Sequence, residues 1–204
     1  MEDLRLRPVF TTVHDAVDDF SPTGAAAYFF AASEEERSQH VVGLQGRVTG
    51  VRFVRITQTG DYTITLDGAG PVALRSQDAL RAALAALDVH RVYVDMTGMN
   101  HSVWAPLVRT ALAAGLDLQV VYVEPRSYAF SKSPREGEYF ELSESKRGVG
   151  PLPLFTSLAQ VRREDVALAP LLGFEGARLK YIIEQVQPMR DRIFPVVGMP
   201  GFRP

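Results

Sequence analysis

The residues best suited to chemistry lie at positions 95–101, where the sequence reads DMTGMNH directly after the apolar run 92–94. After a strand, Thr97 and Gly98 favour a tight turn with exposed amide groups, and the start of a following helix adds partial positive charge. Phosphate and ribose oxygens suit such a setting. The Asp95 carboxylate can accept a hydrogen bond from a sugar hydroxyl or order a water molecule, or it can simply cap the turn.

Two aromatic residues follow this turn, and each has two interpretations. His101 precedes Ser102 at the expected start of a helix, where it either faces solvent or contacts a ligand. Trp104 is the only tryptophan of the chain. It either packs in the core beside apolar neighbours or offers a surface on which a base can stack.

Two further segments, FAASEEER and PLLGFEGAR, resemble each other. Each follows an expected strand and places an acid three residues before an arginine, which puts both side chains on one face of a first helical turn. The pairs either form surface ion pairs worth a few tenths of a kcal/mol or approach a bound ligand. Glycines around the second pair permit close backbone approach. The candidate ligand-binding residues are Ser33, Glu34, Arg37, Thr97, Gly98, Asn100, His101, Gly173, Gly176 and Arg178, and the candidate catalytic residues are Glu175 and Asp95.

Several common catalytic motifs are absent from the sequence. The four histidines show no HxH, HxxxH or HExxH spacing, and there is no GxGxxG, GxxxxGK[ST] or GxSxG motif. These absences disfavour catalytic zinc, P-loop and ordinary dinucleotide chemistry, so we expect no metal and no cofactor. An enzyme here would work through Asp, Glu, His, Ser, Thr, Tyr, Lys or Arg acting on a bound ligand.

Bulk composition narrows the class of protein. The 204 residues, 46% of them hydrophobic, are enough to bury a core, and we expect a single domain over 1–204. The 22 basic and 24 acidic side chains nearly cancel, which disfavours direct binding of nucleic acid. No apolar run approaches the roughly 20 residues of a membrane span. The lack of cysteine and of a signal peptide favours a cytoplasmic protein.

Hydrophobic periodicity predicts the elements that position these residues. We expect a strand over 26–32 leading into a helix that begins with the acid-rich turn 33–37, a β-meander or hairpin over 48–75, and a helix capped by Ser76. A strand over 91–95, a helix over 102–114 and a strand over 118–123 form a βαβ unit, whose parallel strands we expect to be covered on both faces.

The rest of the chain predicts a long insert and a second βαβ unit. Residues 125–155 lose all periodicity, as expected of a lid, an interface or a linker. Regular hydrophobic patterns return over 165–173, 177–186 and 192–198, which predict a strand, a helix and a strand. The sequence therefore predicts an α/β, Rossmann-like three-layer fold with a mostly parallel sheet. The sheet ends there or is completed by a partner, and ligands of such sheets bind at the carboxyl ends of the strands.

The strand ending in Asp-x-Thr-Gly, the helix after it and the strand VVYVEP resemble, over residues 90–124, the CRISPR-associated Rossmann fold (CARF) and related sensor domains of prokaryotic defence. Many of those proteins read T-G-G-T-K, with the lysine facing ligand phosphates. Here the run is TGMNH, so Asn100 or His101 would replace the lysine. The resemblance implies a signalling role, a cyclic oligonucleotide or related ligand, and a pocket across a dimer axis that contains Thr97, Gly98 and Asn100. Some relatives also cleave their ligand.

Three functions follow as hypotheses. The first is a nucleotide-binding sensor, a homodimer or a subunit of a defence assembly, whose small nucleotide ligand meets the turns 97–98 and 173–176 while Arg37 and Arg178 neutralise charge. The second is a hydrolase or transferase acting on a nucleotide or nucleoside, with Glu175 or Asp95 as base or nucleophile. The third is a structural subunit of a larger complex. Whether the chain is an enzyme stays open.

Overall fold

The computed structural model describes residues 10–33, 36–125, 152–156, 166–172 and 176–197. Contacts divide the chain into two compact units, Met1–Glu124 and Pro125–Pro204. Of the candidate residues, Glu34, Gly173 and Glu175 lie outside the described residues, as do most of the predicted insert and the side chain of Arg178. The single-domain hypothesis stays a prediction.

The first unit contains a six-stranded sheet in which the order of strands is β4-β3-β2-β1-β5-β6. β1 pairs in parallel with β2 and β5, β5 pairs in parallel with β6, and the β2–β3 and β3–β4 pairs are antiparallel. This confirms the mostly parallel, Rossmann-like α/β fold and the meander within 48–75. The strands are β1 (Ala26–Phe30), β2 (Val51–Gly60), β3 (Thr63–Leu66), β4 (Val72–Ala73), β5 (Arg91–Asp95) and β6 (Asp117–Val121).

In the part of this unit that the structure describes, three α-helices accompany the sheet: α1 (His40–Arg47), α2 (Gln77–Ala85) and α3 (His101–Ala113). The predicted cap of α2 is confirmed, because Ser76 Oγ accepts a hydrogen bond from the amide of Ala79 at 3.2 Å. α3 is followed by Gly115, whose φ of 71° only glycine adopts readily.

The predicted start of the first helix is wrong. α1 begins at His40, and a short 3₁₀ turn, Glu36–Gln39, precedes it. Side-chain hydrogen bonds explain the difference. Ser38 Oγ accepts from the amide of Ser33 at 3.2 Å and donates to its carbonyl at 3.1 Å, which competes with helical bonding in this segment.

The helices cover the sheet from both sides. Val41 and Leu44 of α1 pack with Tyr28 of β1 and Tyr93 of β5. Because side chains alternate along a strand, residues such as Phe29 lie on the opposite face. There α3 lies against β5 and β6, and α2 packs on α3. Three layers result, with the core in the two layers between helices and sheet.

The expectation that both faces of every parallel strand are covered is wrong for β6. This strand lies at the edge of the six-stranded sheet. Val120 and the following Tyr122 are 47% and 49% exposed. An edge strand has a neighbour on one side only, which leaves more of its side-chain surface in contact with solvent.

The second unit contains the predicted second βαβ motif in shorter form. β7 (Leu171–Leu172) and β8 (Val196–Val197) pair in parallel, and α4 (Gly176–Val186) lies between them in sequence. The amide of Phe194 donates to the carbonyl of Leu168 at 2.7 Å, so the pairing continues beyond the two-residue strands. Within the described residues of both units, no helix is long and apolar enough to cross a membrane.

Candidate functional site

The candidate site lies at the carboxyl ends of β1 and β5, which are neighbours in the sheet. From β1 the chain passes through α1 to β2 on one side, whereas from β5 it passes through α3 to β6 on the other. The winding direction therefore reverses between β1 and β5. Ligands of open α/β sheets bind outside the carboxyl ends of the strands at this position.

The turn after β5 is packed tightly against the end of β1. A Cβ atom added to Gly98 would lie 2.1 Å from the carbonyl oxygen of Ala31. No larger residue fits there without a backbone shift. Gly98 is thus explained by close backbone packing within the protein, and the sequence pattern alone did not distinguish this role from close approach to a ligand.

Asp95 is 2% exposed and both of its carboxylate oxygens accept hydrogen bonds. Oδ1 accepts from the amide of Thr97 at 3.0 Å, which confirms the turn-capping interpretation. Oδ2 accepts from the hydroxyl of Tyr28 at 3.0 Å and lies 2.9 Å from His40 Nε2. Burial and these three contacts fit a carboxylate that organises the protein interior, and they disfavour direct attack on a substrate.

His40 is held between two acceptors. Its Nδ1 lies 2.8 Å from the carbonyl oxygen of Arg37, and a carbonyl only accepts, so Nδ1 carries a proton. Its Nε2 faces Asp95. Burial alone lowers the pKa of His40, but the hydrogen bond and charge of Asp95, with the Arg37 carbonyl, outweigh it and raise the pKa above its ordinary value. The surroundings therefore favour the imidazolium form.

Tyr28 completes this buried group. It is fully buried, and its ring stacks on Tyr93 with centroids 5.9 Å apart. Burial, followed by the charge and hydrogen bond of Asp95, raises the pKa of Tyr28 far above its ordinary value. Its hydroxyl therefore stays protonated and donates to Asp95. We call Tyr28, His40 and Asp95 the buried cluster.

Thr97 and Arg37 are joined through Val123. The amide of Val123 donates to Thr97 Oγ1 at 3.0 Å, and Arg37 donates to the carbonyl of Val123 at 3.1 Å. Arg37 also donates to the hydroxyl of Tyr122 at 2.8 Å. These contacts fix the half-buried guanidinium at the carboxyl edge. They also show that the Thr97 hydroxyl serves the fold, since Thr97 is only 7% exposed.

The start of α3 is the most accessible part of this edge. Asn100 is the N-cap residue, but its side chain makes no cap hydrogen bond and donates to Gln58 Oε1 at 3.0 Å instead. Asn100 and His101 are both exposed. The His101 ring lies 5.4 Å from the ring of Trp104, which is half-buried, between its two predicted environments. No acidic residue occupies the first turn of α3.

The structure thus places Ser33, Arg37 and the 95–101 turn around one edge of the first unit. Gly176 is the first residue of α4 in the second unit, and Arg178 lies in that helix. Tyr28 and His40 were not among the residues that the sequence predicted for this site. Tyr28 is hidden in the apolar run AAYFF, and no spacing rule connects positions 28, 40 and 95. The only usable signal was period-two alternation, which places Asp95 on the same face of β5 as Tyr93.

Among the described residues, no group of three or more histidine, aspartate or glutamate side chains is arranged to hold a metal ion. No protein-family model, no curated protein and no solved structure matches the chain. The function of this edge must therefore be inferred from the geometry of its residues.

Proposed function

We propose that the first unit is a nucleotide-binding domain whose ligand lies at the carboxyl edge between β1 and β5. The observation that supports this best is the N-terminus of α3. A helix of 13 residues begins at the switch point without a side-chain cap and without an acid in its first turn. Amide groups and the helix dipole there favour a negatively charged ligand group.

The surrounding side chains suit phosphate. Arg37 lies on the same edge and is always charged at physiological pH. Exposed Asn100 and His101 offer hydrogen-bond donors at the helix start. In this proposal Thr97, Gly98 and Asp95 act indirectly, because they are buried or tightly packed and hold the turn in shape.

The resemblance of residues 90–124 to CARF-like sensors extends the proposal. The ligand would be a signalling nucleotide such as a cyclic oligonucleotide, and the protein would act in an antiviral defence assembly as a homodimer or with a partner subunit. The alternative is a hydrolase or transferase. Its candidate residue is now Glu175, since Asp95 is enclosed by its own hydrogen bonds.

The first experiment is native mass spectrometry of the purified chain, followed by calorimetric titration with ATP and with cyclic tetra-adenylate. We expect binding of at least one of these nucleotides. The variant His101→Glu adds a negative charge at the start of α3 and should weaken binding roughly tenfold. The matched control is His90→Glu, because His90 is also exposed but precedes β5, at the opposite edge of the sheet. It should bind as the wild type does.

Three outcomes would count against the sensor. If both histidine variants bind equally well, the ligand does not lie at the start of α3. If chromatography detects nucleotide products, and Glu175→Gln abolishes them, the protein is an enzyme. If neither ATP nor cyclic tetra-adenylate binds, the proposal loses its support.

A further inference from the structure

We propose that the buried cluster of Tyr28, His40 and Asp95 is a pH-dependent switch that fixes the 3₁₀ turn Glu36–Gln39 against the sheet. The switch is a property of the fold and needs no ligand. Its three side chains come from β1, the start of α1 and the end of β5. They join two neighbouring strands to the turn that carries Arg37.

The cluster has two states because its number of donor protons changes when His40 changes from charged to neutral. With His40 charged, Nδ1–H donates to the Arg37 carbonyl, while Nε2–H and the Tyr28 hydroxyl both donate to Asp95 Oδ2. Every buried donor then has an acceptor. Tyr28 and His40 are themselves 3.3 Å apart.

Loss of one proton removes this match. The neutral ring carries one N–H, which can serve Asp95 Oδ2 at 2.9 Å or the Arg37 carbonyl at 2.8 Å, but not both. If the proton stays on Nδ1, the single Tyr28 proton can satisfy His40 Nε2 or Asp95, but not both. If it stays on Nε2, the Arg37 carbonyl loses its donor. An unsatisfied acceptor here costs free energy, because the side chains of His40 and Asp95 are only 4% and 2% exposed and water cannot replace the missing donor. Separation of the ring from Asp95, or of the turn from the ring, relieves this cost.

In either case the turn loses its connection through His40 to Asp95, because one of the two hydrogen bonds of the ring is broken. Arg37 also donates to Val123 and Tyr122, so displacement of the turn reaches the chain after β6. Release of His40 therefore loosens one side of the carboxyl edge.

The neighbouring charged and titratable groups are consistent with this response. β1 contributes Tyr28, and β5 contributes Asp95 and Tyr93, whose hydroxyl accepts from the amide of Thr23. The turn contributes Arg37, directed to Val123 and Tyr122, and the exposed Glu36. Asp95 is the charged group that contacts a ring nitrogen of His40, so it determines the sign of the effect.

Because the folded pKa of His40 is raised, the closed turn is fully stabilised below the open-state pKa of about 6.5. Stabilisation is lost as the pH rises through the folded pKa. Between these two values the opening equilibrium should increase about tenfold per pH unit.

Amide hydrogen exchange of the full chain without nucleotide tests the switch. Exchange is compared between pH 6 and 9 after correction for the intrinsic rate, and ring ¹⁵N shifts report the titration of His40. We expect the turn Glu36–Gln39 to lose protection with rising pH relative to the amides of α3. The switch is contradicted if that ratio is constant or if His40 titrates at or below the ordinary histidine pKa of about 6.5.

Two variants separate the switch from general loss of structure. His40→Gln keeps an amide donor for Asp95 but has no proton to lose, so turn protection should no longer depend on pH. His90→Gln should behave as the wild type. If His40→Gln does not fold, Tyr28→Phe provides the test, because removing the competing hydroxyl leaves His40 as the remaining donor of the cluster and should move the transition to higher pH. An unchanged transition would contradict the mechanism. Nucleotide binding plays no part in these measurements, so the two proposals succeed or fail separately.

Discussion

The two faces of strands β1 and β5 have opposite chemistry. The face toward α1 contains Tyr28 and Asp95, which contact His40 through hydrogen bonds. The face toward α3 contains side chains such as Phe29 and Val94, both fully buried and apolar. The same ten residues, five in β1 and five in β5, form both faces.

This difference separates two ways of stabilising a fold. Apolar burial is non-directional and depends on the area removed from water, so the α3 face tolerates changes in pH. A buried polar group requires particular partners in particular protonation states. The α1 face therefore specifies the position of the 36–39 turn, but it makes that position sensitive to pH. Substitutions on the two faces should respond differently.

The largest effect is expected from His40→Leu on the α1 face. The substitution removes the partner of a buried carboxylate, which costs about 4 kcal/mol in unfolding free energy. We expect this loss at pH 6 in urea denaturation and a smaller loss at pH 9, because wild-type His40 itself becomes neutral at high pH. His90→Leu is the exposed control. Equal losses at the two pH values would show that His40 is only a packing residue.

Leu107→Ala tests the apolar face. Leu107 lies in α3 and is 1% exposed, so truncation leaves a cavity that costs about 3 kcal/mol. Because no titratable group is involved, urea denaturation should give the same loss at pH 6 and pH 9. A loss that changes with pH by more than about 1 kcal/mol would break the contrast between the two faces.

The apolar face was largely predictable from the sequence. The strands predicted over 26–32 and 91–95, the helix capped by Ser76 and the helix over 102–114 all correspond to elements that the structure contains. Such patterns work because apolar burial depends on periodicity, which a single segment displays. The start of α1 was not predictable in the same way, since it depends on the pair Ser33 and Ser38 and on an interaction with Asp95 far along the chain.

The candidate site was predicted in position but not in detail. The carboxyl ends of β1 and β5 could be inferred once a parallel sheet was expected. The roles of individual residues could not, because Gly98 contacts Ala31 and Thr97 contacts Val123 only after the strands take their register. A glycine required by neighbouring backbone and a glycine required by a ligand look the same in sequence.

Tyr28→Phe should have a smaller effect than His40→Leu. The change removes one hydrogen bond to a charged group and leaves the ring packing in place, which costs about 2 kcal/mol. Unfolding in urea at pH 6 measures this loss. Tyr93→Phe is the matched comparison, because it removes a hydroxyl that accepts from the amide of Thr23 at 3.1 Å and leaves the ring in place. We expect the Tyr93 variant to lose less, and the reverse order would contradict the importance of Asp95.

The smallest effect is expected from Ser76→Ala, on the helix that packs against α3. Ser76 Oγ accepts the amide of Ala79, and Ser76 is the N-cap residue of α2. Loss of such a cap costs about 1 kcal/mol. Ser76→Thr is the matched control, because threonine retains the hydroxyl acceptor and should lose only a few tenths of a kcal/mol. Both values should be the same at pH 6 and pH 9 in urea denaturation. A pH-dependent loss at Ser76 would show that sensitivity to protonation extends beyond the α1 face. The buried cluster would then not be the sole source of pH sensitivity among the described residues.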